Sequence, residues 1–408
     1  MSRIDDLLTK LCPLGVEFKT VDEILVKVIP KGAISKSEYK IDGKYPIINQ
    51  ASKLIAAYTD EKTFVIEKDM YIVFGDHTRC LKWIDFQFVS GESGTLIFKA
   101  KKEISSKYVF HALKNLRIES RGYNRHWTVL KELVIPVPPL EIQREIVSIL
   151  DKFTELEAEL EAELEARTQQ YIYLREKLLN FSDRTEVGMS RIDDLIQELC
   201  PSGVTYLPLN EIGEIVTGLS GKTKDDFSNG TSPYVSYKTI FNNLQLPNSI
   251  NDYVAIDTDE KQNLLQLGDV LITGSSETPN ELGMSCVVTI QPKVSTFLNS
   301  FCFIWRPRTE MLDPNFSKYI FRSTSIRDQI IGTGNGVTRI NISKKSFIKI
   351  PIPVPPLEVQ REIVSILDKF DALVNDLSIG LPAELAARRK QYEHYRDQLL
   401  TFKELKSA

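Results

Sequence analysis

The fold of this chain is decided by residues 135–153, which read IPVPPLEIQREIVSILDKF. The same residues return at 352–370 with one change, Ile142 against Val359. The prolines that open each copy cannot donate a backbone hydrogen bond, so we expect a rigid boundary there and a helix after it. The chain is therefore an internal duplication, in which each half carries a proline-rich joint followed by a helix.

A long helix is predicted after each joint. In the first copy, apolar residues recur at alternating four- and three-residue spacings, which indicates a helix that packs on another helix. They are Ile142, Ile146, Ile149, Phe153, Leu156 and Leu160. Residues 141–181 would span roughly 60 Å at about 1.5 Å per residue, which is typical of a spacer or coiled coil. The second copy is about one turn longer and contains Gly380 and Pro382, which predict a break or kink.

A short amphipathic segment opens each half, since residues 1–12 and 189–200 begin with Met-Ser-Arg-Ile-Asp-Asp-Leu and end with Leu-Cys before a proline. We therefore predict a short N-terminal helix (1–14), a globular domain (15–140), a central long helix (141–181), a linker with the repeated short helix (182–202), a second globular domain (203–357) and a C-terminal long helix (358–408). Both domains contain runs of β-branched and aromatic residues typical of strands, such as 45–50, 70–74, 95–98 and 234–237, and each ends in a predicted helix, 106–120 or 315–331. The predicted class is α+β, with two mixed α/β domains separated by a pair of long helices and related by a pseudo-twofold duplication.

Composition excludes several classes of protein. The chain of 408 residues contains no apolar run of about 18 residues, and its start lacks a signal peptide's apolar region, so we expect a cytoplasmic protein without a membrane partner. The five cysteines include no C-x-x-C pair, which argues against a disulfide framework and a zinc site. Residues 15–140 hold 20 basic and 15 acidic side chains, whereas residues 203–357 hold 14 of each. This balance permits nucleic-acid binding by the first domain without requiring it.

The frame of the chain is copied, but the two globular segments differ throughout in detail. Helices and joints that stay nearly identical indicate one repeated partner surface. Globular segments that have diverged indicate two different targets.

Two matched loops stand directly before the joints, at 120–127 and 332–339. They contain arginine and asparagine, which make bidentate contacts with guanine and adenine edges, and glycine, which lets the backbone approach a groove. A plain helix-to-strand connection with a solvated arginine is the alternative. Residues 218–223 resemble a phosphate loop, but Val216 stands where the first glycine is required, so we expect no nucleotide site. This turn is either a contact to the DNA backbone or an ordinary polar loop.

Catalytic motifs are incomplete. Residues 313–316 resemble the D-P-P-Y sequence of base methyltransferases, but the second proline and a glycine-rich turn for the methyl donor are missing. Asp76 and His77 have no accompanying nucleophile motif. We therefore predict a protein that is not an enzyme, with no metal and no cofactor of its own.

The candidate DNA-binding residues are polar, basic or aromatic side chains in turns and loops. In the first domain they are Lys31, Ser35, Lys36, Tyr39, Asn49, Gln50, Ser52, Lys53, His77, Thr78, Arg79, Arg121, Tyr123, Asn124 and Arg125. In the second domain they are Ser220, Lys222, Thr223, Lys224, Tyr237, Lys238, Ser275, Ser276, Asn335 and Arg339. The candidate subunit-interface residues lie on the helix seams and are Ile146, Ile149, Phe153, Ile363, Ile366 and Phe370.

The arrangement resembles the specificity subunit of a type I restriction-modification system over the whole chain. The resemblance rests on Pro-Pro-Leu-Glu-x-Gln at 138–143 and 355–360, with support from 74–79 and 221–224, which are similar to segments of the recognition domains in this family. It implies two target-recognition domains held inverted by an antiparallel pair of coiled-coil helices, so that they read the two halves of a split site in double-stranded DNA. It also implies two modification subunits, which bring S-adenosylmethionine and methylate adenine, and two restriction subunits, which use ATP and Mg.

Two other hypotheses stay open at this point. A coiled-coil adaptor whose domains bind proteins would show no affinity for DNA. An enzyme that uses Asp76 and His77 would turn over a substrate as the isolated chain.

Overall fold

The computed structural model describes residues 3–91, 94–120, 122, 124–181, 191–257 and 259–405. The chain divides into two compact units. The first unit comprises Met1–Ala162 with Ala383–Ala408, and the second unit comprises Glu163–Pro382.

The helices, in chain order, are α1 (Arg3–Leu11), α2 (Val21–Ile24), α3 (Ser106–Asn115), α4 (Trp127–Leu130), α5 (Leu140–Leu179), α6 (Arg191–Leu199), α7 (Leu209–Ile212), α8 (Lys224–Ser228), α9 (Tyr237–Asn242), α10 (Pro314–Ile320), α11 (Thr324–Gly332), α12 (Lys344–Phe347), α13 (Leu357–Asn375) and α14 (Leu381–Leu399). Short 3-10 turns cover Lys36–Glu38 and Pro279–Glu281.

The strands up to the first joint are β1 (Glu17–Thr20), β2 (Leu25–Val28), β3 (Tyr45–Ile48), β4 (Ala57–Thr59), β5 (Val65–Ile66), β6 (Tyr71–Gly75), β7 (Leu81–Ile84), β8 (Phe88–Ser90), β9 (Thr95–Ala100) and β10 (Val134–Val137). The later strands are β11 (Tyr206–Pro208), β12 (Gly213–Thr217), β13 (Ser232–Val235), β14 (Tyr253–Val254), β15 (Val270–Thr273), β16 (Ser275–Ser276), β17 (Ser285–Val287), β18 (Phe297–Leu298), β19 (Cys302–Pro307), β20 (Gly334–Asn335), β21 (Ile340–Ile342) and β22 (Pro351–Pro353).

The globular parts of the two units share one topology. In the first unit an antiparallel sheet has the order β2-β9-β6-β7, and in the second unit the corresponding order is β12-β19-β15-β17. A second sheet is also shared by the two units, and its strand order is β4-β3-β8-β5 in the first unit and β14-β13-β18 in the second. Its central pair is parallel in both, β3 with β8 and β13 with β18. Two dissimilar sequences therefore form equivalent sheets, and positions can be compared between the units.

Each proline-rich joint contains a strand, which the sequence did not predict. β10 pairs with β1 and places Pro136 opposite Phe18, while β22 pairs with β11 and places Pro353 opposite Tyr206. Proline is tolerated because each strand of a two-stranded sheet has a free edge, toward which the missing N–H can face. The joint is therefore tied to the first strand of its own unit.

The long helix predicted after the first joint is present as α5, whose 40 residues are continuous. The predicted break in the second copy is also confirmed, because α13 ends at Asn375 and α14 begins at Leu381. A Cβ at Gly380 would lie 2.5 Å from the carbonyl oxygen of Ala372, so a side chain would clash there. Pro382 falls in the first turn of α14, where its missing N–H costs no helical hydrogen bond.

Within the first unit, α14 runs antiparallel to α5. Phe153 stacks on Tyr395 with ring centroids 5.3 Å apart, and further along α5 Glu157 accepts a hydrogen bond of 2.6 Å from Arg389. From Phe153 to Glu157 the residue number rises along α5, while the contacting residue of α14 falls from Tyr395 to Arg389, so the two helices are antiparallel. These contacts confirm the predicted pairing of the two long-helix segments.

The core of the first unit joins its sheet to its helices. Ile72, Phe74 and Phe98 of the four-stranded sheet belong to one buried cluster with Tyr108 of α3 and Ile142 of α5. The buried cluster of the second unit is formed by the equivalent elements, with residues of β15 and β19 packed against α10 and α13. Each globular domain thus shares one core with the helix that follows it.

Several predicted elements differ in detail, among them the helix expected at 106–120, which ends at Asn115. The strand expected at 234–237 ends at Val235, and Tyr237 already begins α9. The helix expected at 315–331 is divided into α10 and α11. The hydroxyl of Ser323 donates 2.7 Å to the carbonyl of Ile320, and such a side-chain bond competes with continuation of a helix.

Candidate nucleic-acid interface

The chain reverses tightly after β6. Arg79 has a φ of 63°, in the left-handed region that residues other than glycine rarely adopt. The hydroxyl of Thr78 donates to the backbone carbonyl of Gln50, and the N–H of His77 donates 3.3 Å to the side-chain oxygen of the same glutamine. A Cβ at Gly75 would lie 2.8 Å from that backbone carbonyl, so only glycine permits the approach. The turn is therefore fastened to the loop that follows β3.

Asp76 fastens the same turn to the loop before the first joint. Its side chain is almost fully buried, and its Oδ1 accepts a hydrogen bond of 2.8 Å from the N–H of Trp127. Its backbone carbonyl accepts the N–H and the Nδ1–H of His126, both at 2.9 Å. The guanidinium of Arg125 lies 3.9 Å from Oδ2. The carboxylate therefore joins the turn after β6 to the loop before the joint.

The backbone of the loop after β3, residues 49–54, accepts hydrogen bonds from the buried side chain of Lys82. This side chain is 5 % exposed, and its ammonium donates to the carbonyls of Asn49 at 2.8 Å and Lys53 at 2.6 Å, with the carbonyl of Leu54 at 3.4 Å. No carboxylate in the described part of the chain pairs with it. Burial lowers the pKa of Lys82. Sequence reasoning missed this residue because a lysine in a strand normally faces solvent.

The structure gathers most of the first domain's candidates on these loops. Exposed candidates are Lys31, Ser35, Lys36, Ser52, Lys53, Thr78, Arg79, Asn124 and Arg125, and half-buried ones are Tyr39, Gln50 and His77. Arg121 and Tyr123 lie outside the described residues. Asn49 requires a correction, because it is 8 % exposed and its side-chain oxygen accepts the N–H of Ala51 at 3.0 Å. It shapes the loop and has little surface left for DNA. Ser35 is exposed, but its hydroxyl donates 2.9 Å to Glu38 and caps a 3-10 turn.

In the second unit, the loop before the joint forms a hairpin of β20 and β21. This hairpin pairs with β16, so that Ser275 lies opposite Asn341. Arg339 donates to the hydroxyl of Ser275 at 2.9 and 3.1 Å, and its guanidinium lies 5.6 Å from the ring centre of Phe301. Ser275 and Ser276 are buried and therefore support the exposed hairpin instead of contacting DNA, which corrects their assignment. Asn335 and Arg339 are exposed.

The two matched loops are fastened at equivalent places. β16 follows β15 in the second unit, as the turn at 75–79 follows β6 in the first, and β6 and β15 occupy the same position in equivalent sheets. In each unit the loop before the joint is bonded to that segment. Both units therefore present the same pair of segments from the same edge of the fold, with different side chains on them.

The turn at 218–224 does not offer the lysine that sequence reasoning assigned to it. Lys222 pairs with the carboxylate of Glu260, and its side chain is only 6 % exposed. The N–H and hydroxyl of Thr223 donate to Asp226 at 2.6 and 2.8 Å, which caps α8 and lowers the pKa of that carboxyl. Ser220, Thr223 and Lys224 remain exposed. Lys222 is thus neutralised within the unit and is withdrawn as a phosphate contact.

α9 carries the remaining candidates of the second unit. Lys238 is exposed, and the half-buried Tyr237 stacks on Phe241 with ring centroids 6.3 Å apart. Arg322, from the turn between α10 and α11, donates to the carbonyls of Ile240 at 2.9 Å and Phe241 at 3.2 Å, and so caps the C-terminal end of α9. The Nε of Arg322 donates a hydrogen bond of 2.8 Å to the backbone carbonyl of Ser285. Burial lowers the pKa of Arg322 to about 10.

The glutamine of each Pro-Pro-Leu-Glu-x-Gln motif joins the proline-rich joint to the globular domain before it. Gln143 donates 2.7 Å to the carbonyl of Pro138 and accepts 2.9 Å from the N–H of Ser105, the residue that caps α3. Gln360 makes the same pair of contacts, to Pro355 at 2.7 Å and from the α10 cap Asp313 at 2.8 Å. Both glutamines are buried. The motif therefore defines how each domain is attached to its helix.

A repeated aspartate makes a second such attachment. Asp151 of α5 bonds to the buried His111 of α3 at 2.9 Å, and Asp368 of α13 accepts 2.6 Å from Tyr319 of α10. Burial lowers the pKa of His111, while the bond to Asp151 opposes that effect.

The seam residues proposed as subunit contacts fall into two groups. Ile146 and Ile363 are 0 % exposed and lie in the cores of their own units, so they have no surface left for a partner. The cause is that the helix seam faces the recognition domain as well as the other helix. Ile149, Phe153, Ile366 and Phe370 are partly buried against the same cores and stay predictions as interface residues.

None of the described helices combines the length and apolar composition that crossing a membrane requires. Within the described ranges, no three His, Cys, Asp or Glu side chains are grouped so that they could hold a metal ion.

Comparison with known proteins identifies the family. A model of the type I restriction modification DNA specificity domain matches residues 13–166 and again residues 201–387. The chain belongs to this family, as its motifs suggested.

Two relatives illustrate the match. The chain is 32 % identical over 418 residues to the specificity subunit of the Escherichia coli type I restriction enzyme EcoR124I/EcoR124II, covering 94 % of this chain and 96 % of the relative. It is 27 % identical over 407 residues to a putative type I restriction enzyme specificity subunit of Haemophilus influenzae, covering 95 % and 96 %.

The S subunit of a type I restriction-modification system from M. genitalium has the same fold, with a TM-score of 0.57, 17 % identity and coverage of 95 % of this chain and 96 % of that one. The α+β class with two recognition domains is thereby confirmed, and the adaptor hypothesis is not favoured.

Proposed function

We propose that this chain reads a split site in double-stranded DNA, with the first unit reading one half and the second unit the other. The observation that carries the proposal is the equivalent pair of segments in the two units, the loop before the joint and the turn or strand bonded to it. These segments hold exposed arginine and asparagine side chains, among them Arg79, Arg125 and Arg339, which suit base edges and phosphates.

The partners in this proposal are two modification subunits, one for each copy of the frame. The support is that the joint makes the same contacts twice, through Gln143 and through Gln360, so that the same surface is built twice. The modification subunit would supply S-adenosylmethionine and the methyl transfer to adenine. Two restriction subunits, which use ATP and Mg, would join the same complex. The chain itself is proposed to be non-catalytic and to act in the cytoplasm, where it meets DNA.

Charge gives the two units different modes of binding in this proposal. The excess of basic residues in 15–140 favours phosphate contacts and a salt-dependent affinity for the first half-site. Because residues 203–357 have a balanced charge, recognition of the second half-site depends more on contacts to base edges and on DNA shape.

The test is to purify the chain with its modification subunit and to map methylated adenines on a random DNA library. A motif of two defined halves with a fixed gap is the expected result. Failure to assemble, together with absence of methylation, would refute the proposal and point to a protein-binding role.

A domain exchange assigns the halves. Replacing residues 15–134 with the matching segment of a relative is expected to change one half-site only. Replacing the second domain is the matched control and is expected to change the other. If the first chimera keeps the original pair of half-sites, the assignment of residues 15–134 to DNA reading is wrong.

A further inference from the structure

Among the residues that the structure describes, each unit contains a cation that pairs with no carboxylate and that bonds to the backbone of a segment carrying candidate DNA-binding residues. The segment follows one strand of the parallel pair at the centre of the second sheet, which is β3 in the first unit and β13 in the second. It comprises residues 49–54 in one unit and residues 236–243 in the other. Because β3 and β13 are equivalent strands, the two segments occupy equivalent places.

The cations reach these segments from different elements. Lys82 belongs to β7 and collects the carbonyls of Asn49, Lys53 and Leu54. Arg322 lies between α10 and α11 and collects the carbonyls at the end of α9. Neither forms an ion pair with a carboxylate in the part of the chain that the structure describes. The same arrangement is thus built twice from unrelated positions, and the duplicated frame does not explain it.

The cost of this arrangement indicates what it does. Removing a cation from water without an opposite charge is unfavourable, and an apolar side chain of similar length would be buried at lower cost. What an apolar side chain cannot do is turn several carbonyl oxygens inward and fix the path of an irregular segment. Inward-facing carbonyls also remove partial negative charge from a surface that approaches phosphates.

We propose that Lys82 and Arg322 are positioning residues for DNA reading, each serving the half-site of its own unit. Lys82 fixes the loop that presents Gln50, Ser52 and Lys53, and Arg322 fixes the helix that presents Tyr237 and Lys238. Neither cation touches the DNA. This inference rests on the proposed function and adds to it the internal groups on which each half-site depends.

The experiment compares Lys82→Met and Arg322→Met in the complete complex with the modification subunit, by mapping methylation on the same random library. Lys82→Met is expected to lower discrimination against single-base changes in the first half-site about tenfold and to leave the second unchanged. Arg322→Met is expected to do the reverse. Lys82→Arg and Arg322→Lys, which keep a charged donor, are expected to retain more discrimination than the methionine variants.

Two matched controls remove a cation elsewhere. Lys99→Met deletes a lysine of β9 that pairs with Asp69. Arg308→Met deletes an arginine that also donates to two carbonyls, of Asn210 and Gly213, away from the candidate segments. Both are expected to keep both half-sites.

The outcomes are separable. Unchanged discrimination in Lys82→Met, or an equal loss in both half-sites, would overturn the proposal. If a methionine variant does not assemble, Lys82→Gln or Arg322→Gln replaces it, because glutamine removes the charge but can still donate to one carbonyl. Unchanged discrimination in its own half-site then refutes the inference. Absence of any split motif with the unsubstituted chain would instead refute the proposed function.

Discussion

Substituting Gln143 by leucine should loosen the first recognition domain from its helix and leave the second domain unaffected. The glutamine is 1 % exposed, and its loss leaves the N–H of Ser105 and the carbonyl of Pro138 without their partner. An unpaired buried polar group costs about 1–3 kcal/mol. Because Ser105 is only half-buried and water can partly replace one bond, we expect a net loss of about 2–4 kcal/mol.

Hydrogen exchange followed by mass spectrometry measures this loss locally. At about 1.4 kcal/mol per tenfold change, protection of the backbone amides of α3 should fall by roughly 30- to 700-fold. Protection of α10 should not change. Gln360→Leu is the mirror variant and should affect α10 through the N–H of Asp313 without affecting α3.

Gln170→Leu is the matched control. It changes an exposed glutamine of the same long helix, whose side chain accepts a bond of 3.1 Å from Arg167. Exchange in α3 should match that of the unsubstituted chain. If Gln143→Leu leaves α3 as protected as this control does, the glutamine is not the attachment that we describe. A loss spread equally over α3 and α10 would also contradict the reasoning.

Three further predictions concern the first unit. Asp76→Ala frees the loop before the joint and should weaken binding of the assembled complex to its DNA site about tenfold, measured by competition titration, with assembly intact. Burial lowers the pKa of His111 below its ordinary value of 6.5, so the unfolded chain takes up the proton more readily than the folded chain. The contribution of His111 to stability should therefore be constant above pH 6.5 and fall as the pH drops below it. A pH series of melting temperatures should show this fall, and His111→Gln should flatten it. Ile146→Asp buries a charge without a partner and should cost about 3–5 kcal/mol, seen as faster proteolysis of the first unit, whereas the exposed Ser148→Asp on the same helix should behave like the unsubstituted chain.

The parts of the fold that the sequence predicted are those set by local patterns. The repeat at 135–153, the apolar seam of α5 and the break at Gly380 depend on residues close together in the chain. A proline, a glycine or a helical period acts over a few residues, so its effect can be inferred without knowing the fold. The strand inside each joint was missed because it forms only when a distant strand pairs with it.

The candidate site was predicted less well because exposure is a long-range property. Lys222 has the composition of a phosphate contact, but Glu260 arrives from a distant loop and neutralises it. Lys82 stands in an ordinary strand, and only the folding of loop 49–54 over it makes it a buried cation. Sequence spacing indicated which segments carry suitable residue types. It could not indicate which side chains the rest of the fold would use internally.

The two kinds of internal contact differ in how they can be inherited. Gln143 bonds to Pro138, five residues away, so that half of the attachment is copied whenever the joint is copied. Lys82 depends on a loop that belongs to its own domain, and the second unit meets the same need with Arg322. A frame that carries its own attachment can accept recognition domains of different sequence without change. If Lys82 and Arg322 position the reading segments as we propose, a segment moved without its cation should lose its conformation, and we expect the whole domain, and not the loop, to be the unit in which DNA specificity is exchanged.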